Sequence, residues 1–87
     1  MQEGFAVKYR FEIEEFTTKK KLPRDERYDI TQYITSVEIE AEDVKKAFRR
    51  LADQTNGRLA RGVEGETAVI TLPDYDNCRL LLKAVNK

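Results

Sequence analysis

Val7-Lys8-Tyr9-Arg10-Phe11-Glu12-Ile13 and a later run, Tyr33-Ile34-Thr35-Ser36-Val37-Glu38-Ile39-Glu40-Ala41, decide how this chain is expected to fold. Both alternate. In the first, Val7, Tyr9, Phe11 and Ile13 share one side and Lys8, Arg10 and Glu12 the other, the period of a half-buried strand. Antiparallel pairing in which opposed residue numbers sum to 48 sets Tyr9 against Ile39 and Phe11 against Val37 on the apolar side. Lys8 then faces Glu40 and Arg10 faces Glu38, and cross-strand pairs of opposite charge favour that register.

Extended outward, the two runs predict a long first hairpin with arms 5–18 and 28–41, and residues 17–31 as its extended tip or loop. The tip is basic: Lys19, Lys20, Lys21, Arg24 and Arg27 stand against Asp25 and Glu26. An arm of this length would reach about 45 Å at the usual rise per strand residue, whereas a compact domain of this size is only about 30 Å across. The hairpin must therefore bend, end early or protrude. Beyond Ile13 the apolar residues also change parity, from Tyr9, Phe11 and Ile13 to Phe16, Tyr28, Ile30 and Ile34. A bulge near Glu14–Phe16 and Tyr33–Ile34 would restore sidedness and fold the distal half onto the core. Without one, Phe16, Tyr28, Ile30 and Ile34 would form a distal apolar patch that docks a partner or a second copy of the chain.

Downstream, Val44, Ala47, Phe48, Leu51, Ala52 and Thr55 recur at helical spacing, which predicts a helix over 42–56 stopped by a left-handed Gly57. Residues 58–63 and 66–72 read as a second hairpin turning at Glu64-Gly65 and ended by Pro73. Asp74 is then placed to cap a last helix with Tyr75, Cys78, Leu81, Leu82 and Val85 on its buried stripe. Leu80 falls off that stripe. The expected fold is α+β: a small single domain, 1–87, in β-β-α-β-β-α order, with an antiparallel sheet and both helices on one face. Residues 37–47 and 68–78 echo one another weakly, as strand-to-helix junctions do.

Sixteen basic and sixteen acidic residues cancel, which argues against bulk attraction to nucleic acid or an anionic membrane. One cysteine, Cys78, and no histidine leave no internal disulfide and no zinc set, so neither a metal nor another cofactor is expected. There is no apolar stretch long enough to span a membrane and no signal-peptide pattern, and the expectation is a soluble cytoplasmic protein. Glu12, Glu14, Glu38 and Glu40 lie on an exposed face, where Glu38 and Glu40 already have basic cross-strand partners, and no nucleophile–base pair or phosphate loop occurs, so an enzyme is not expected. An RNA-binding sheet displays aromatic residues on its open face. Here Tyr9 and Phe11 point toward the helices.

These readings converge on a small non-enzymatic interaction module, an adaptor or inhibitor. It would bind another protein through Phe16, Tyr28, Ile30 and Ile34, with surrounding cations steering an acidic partner. The alternative is a nucleic-acid-binding module. It would use Lys19, Lys20, Lys21, Arg24 and Arg27 at the tip and Lys45, Lys46, Arg49 and Arg50 on the first helix. A homodimer formed by hairpin exchange is the third expectation.

Overall fold

The computed structural model describes residues 6–18, 22–60 and 62–86. Among these residues five antiparallel strands form one sheet: β1 (Val7–Thr17), β2 (Ile39–Ala41), β3 (Arg58–Leu59), β4 (Thr67–Leu72) and β5 (Cys78–Asn86). They lie in the order β2-β1-β5-β4-β3, so the first and last strands of the chain are neighbours at its centre. Helices α1 (Arg24–Ser36) and α2 (Val44–Gln54) contribute Ile30, Ile34, Phe48 and Leu51 to the same core as Phe11, Ile70, Leu80 and Leu82. Both helices therefore cover one face, and no described element covers the other. The expected class, α+β with two helices on an antiparallel sheet, is the one found.

The expected pairing of β1 with β2 is also found, as Val7–Ala41, Lys8–Glu40 and Tyr9–Ile39, the register in which residue numbers sum to 48. It stops there. The long hairpin is replaced by a strand and a helix, because residues 24–36 are helical where an arm and part of a tip were expected. Ile30, Ile34 and Val37 are buried at helical spacing, a stripe that the β-branched content of the segment obscured. Asp25 and Glu26 occupy the first turn, where the helix dipole favours acids. At the far end the Thr35 hydroxyl donates to the Thr31 carbonyl at 2.7 Å and the Ser36 hydroxyl to the Tyr33 carbonyl at 2.9 Å. Such bonds hold these hydroxyls to the helix backbone just before it ends.

In place of the missing arm, β1 pairs with β5. The register runs Phe11–Ala84 and Ile13–Leu82, then slips to Glu15–Leu81 and Phe16–Leu80. Glu14 is the extra residue of a bulge, at the position where the parity of apolar residues changes. Phe16 thereby returns to the inner face, where it is half-buried beneath the guanidinium of Arg27, 4.9 Å from the ring centroid.

Helix α2 matches its expected stripe, with Ala47, Phe48, Leu51 and Ala52 buried. The Asp43 side chain accepts from the Lys46 amide at 2.8 Å and so caps the helix. Phe48 meets Phe11 with ring centroids 5.2 Å apart and planes tilted by 56°, a favoured aromatic geometry. The stop differs from expectation. Asn56, not Gly57, is left-handed, and the Gly57 amide donates to Ala52 and the Asn56 amide to Asp53, the two bonds of a Schellman ending. Gly57 is needed for space instead, since a Cβ there would lie 2.8 Å from Ile70 Cγ2 and 3.1 Å from the Thr71 carbonyl.

The expected last helix is strand β5. One 3-10 turn, Pro73–Tyr75, leads into Asp76 and Asn77, both left-handed, and reverses the chain so that Leu72 pairs with Cys78. Cys78, Leu80, Leu82 and Ala84 are then buried at period two. Leu80, which did not fit a helical stripe, is wholly buried. The weak echo between 37–47 and 68–78 also ends here, one copy continuing as α2 and the other as β5.

Deleting Glu14 should regularise β1 while keeping Ile13, Glu15 and Phe16 opposite their present partners, with a stability change within about 1 kcal/mol. Deleting Glu14 and Glu15 together turns Phe16 to the open face and should cost about 1–2 kcal/mol more. Urea unfolding measures both, and equal stability of the two deletions would show that the bulge does not set sidedness.

Candidate functional site

Two surfaces gather the side chains able to bind something. The first is the start of α1. Leu22, Pro23, Arg24, Arg27, Tyr28 and Thr31 line an open depression there. Tyr28 is 62% exposed, the most exposed large apolar residue among those described. Four residues were expected to bind a partner together, and the fold separates them. Ile30 and Ile34, 2% and 0% exposed, are core residues and have no surface to offer. Phe16 lies under Arg27, so only Tyr28 remains free to touch a partner. The reason is geometric: on a helix, Tyr28 lies some 160° from Ile30 but only about 40° from Arg24. Of the basic tip, Arg24 and Arg27 belong to α1, and Lys19, Lys20 and Lys21 lie outside the described residues.

The α2 quartet is also divided. Lys46 pairs with Glu42 at 3.0 Å, as the i,i+4 spacing predicts, and the Arg50 guanidinium donates to the Glu40 carbonyl. Lys45 and Arg49 are exposed and make no ion pair among the described residues.

The second surface, on the open face of the sheet, was not foreseen. The ladder sets Thr17 opposite Arg79, Arg79 opposite Thr71, and Thr71 opposite Arg58. Two residues along the strands, Leu81 and Val69 form an adjoining apolar row with Glu15 at its end. Two hollows of about 220 and 160 Å³ share Val69, Arg79 and Leu81 as lining. A helix beginning at Asp74, which the sequence pattern predicts, would not form this row. The available signal was Asp76-Asn77, two residues that tolerate left-handed backbone and so mark a turn before Cys78.

Among the described residues, no cluster of acids, cysteine or histidine is arranged to hold a metal ion, and no helix is long and apolar enough to cross a membrane. Arg10 pairs with Glu12 along its own strand at 4.0 Å, and both are half exposed. Cys78 is buried, which pushes its thiol up; the Asp76 carboxylate pushes the same way, and a backbone hydrogen bond partly opposes them. Comparison with protein-family models, with curated proteins and with solved structures finds no match.

The raised thiol value makes a prediction with a definite sign. The unfolded chain ionises first as pH rises, so stability is intact below the ordinary value of 9.0 and is lost as pH climbs toward the raised one. As pH rises above the ordinary value of 9.0, stability should fall more steeply in the wild type than in Cys78→Ala, read by urea unfolding at each pH. Equal slopes would mean that the thiol ionises alike in the folded and unfolded chains.

Proposed function

We propose that this chain is a non-enzymatic interaction module that binds an acidic segment of another protein at the start of α1. The observation that carries the reading is Tyr28, exposed on a helix whose opposite side is anchored by Ile30 and Ile34, with Leu22 and Pro23 beside it and Arg24 on the same flank. Tyrosine and arginine are the side chains that most often dominate binding energy at protein interfaces. A tyrosine held on a packed helix loses little freedom on binding, so more of its contact energy is retained. Arg24, with the lysines that precede Leu22 in sequence, would steer an acidic partner and favour its encounter. An adaptor or an inhibitor would both work in this way, by occupying a partner without transforming it.

The test is affinity capture from the native cell with wild type and with the double variant Arg24→Glu, Tyr28→Ser. Both positions are exposed, so the variant should keep the fold, as checked by circular dichroism. Specific partners should be depleted about ten-fold or more in the variant. An unchanged set would refute the reading. The exposed Lys45 and Arg49 favour nucleic acid as the second reading. It predicts a mobility shift on mixed DNA and RNA that weakens steeply with salt.

A further inference from the structure

We infer that the open face of the sheet is a second binding site, which takes the C-terminal residue of a peptide ending in an aliphatic side chain. The site is built from two adjacent rows. Thr17, Arg79, Thr71 and Arg58 stand side by side across β1, β5, β4 and β3, giving two guanidinium groups and two hydroxyls. No acid lies opposite either arginine in the ladder, and neither forms an ion pair among the described residues. Elsewhere on this face cations do meet acids: Lys8 is opposite Glu40 and Lys83 opposite Glu12. The row through Arg79 is therefore the part of the face with donors to spare, and a planar carboxylate is the anion that a guanidinium fork fits in two-pronged fashion.

The next row supplies the second half of the recognition. Leu81 and Val69 are half-buried and form the floor shared by both hollows, with Ala60 walling the larger one. A carboxylate on Arg79 would place the aliphatic group attached to it on Leu81 and Val69. At about 220 Å³ the larger hollow suits one side chain of leucine size and does not enclose a long acyl chain. Glu15 and Glu64 at the two ends disfavour a ligand carrying anions along its length, which selects a single terminal charge. The helices lie on the other face, so this site is distinct from the start of α1.

The experiment is a titration of isotope-labelled full-length protein, followed by backbone amide shifts, with acetyl-Gly-Gly-Leu as the free acid and as the C-terminal amide. The free acid should bind weakly, with Kd on the order of 0.1–1 mM for one anchored residue. Shifts should be confined to residues such as Thr17, Val69, Thr71, Arg79 and Leu81. The amide and the exposed-site variant Arg79→Gln should each bind at least about ten-fold more weakly. Equal binding of acid and amide overturns the proposal, as does wild-type affinity in Arg79→Gln. Octanoate binding ten-fold more tightly than the peptide would overturn it in favour of a fatty acid.

Discussion

The pairing of β1 with β5 is the interaction on which the rest of the structure depends. It joins the two ends of the chain, Tyr9 lying opposite Asn86, and it places Phe11 beside Ala84 under the ring of Phe48. The sheet builds outward from these two, β2 on β1, β4 on β5, and β3 on β4. Closing so long a loop costs entropy that grows only slowly with length, but it delays the contact in folding. The β4–β5 hairpin and the capped α2 are local and can form early. The core is complete only when β1 docks, so stability and folding rate should both be most sensitive to residues on β1 and β5.

A length constraint explains why a helix follows β1. From Phe16 back to the level of Tyr9 is seven strand residues, about 23 Å. The thirteen residues of α1 span about 20 Å as a helix but would span over 40 Å as a strand. A strand return to the observed register of Ile39 with Tyr9 would need the first arm to run well past Thr17, as in a protruding hairpin, whereas the helix returns the chain within the length of β1. The same choice exposes Tyr28 and buries Ile30 and Ile34, because helical geometry sends residues two apart to opposite sides where a strand would align them. Structure and candidate site thus follow from one element.

Legibility in the sequence was uneven, for physical reasons. Strand β1, its register with β2, its bulge and helix α2 could be read because long clean patterns and opposed charges specify them locally. The identity of α1 could not, since Ile, Thr and Tyr favour strands and its helical stripe is only Ile30, Ile34 and Val37. In β5 the run Leu80-Leu81-Leu82 satisfies either period, so tertiary context decides between them. The surface reading inherited both ambiguities. Tyr28 and Arg24 lie where the sequence suggested a binding end, their expected apolar partners went to the core, and the row through Arg79 exists only because residues 78–86 form a strand.

Zero net charge conceals a division along β1. Near β2 the open face is self-neutralising, through Lys8 with Glu40, Arg10 with Glu12, and Glu12 opposite Lys83. Toward Thr17 that pattern ends. Arg79 has a threonine on each side, Arg58 lies beyond one of them, and Arg27 of α1 covers Phe16 on the inner face. Paired charges at one end favour a single strand register and contribute little to binding. Among the described residues the arginines of this row form no ion pair, so their attraction remains available to an external anion, moderated by Glu15 and Glu64 in the same hollows. The division follows the topology: the short edge strand β2 supplies Glu40 to one end of β1 and does not extend to the other.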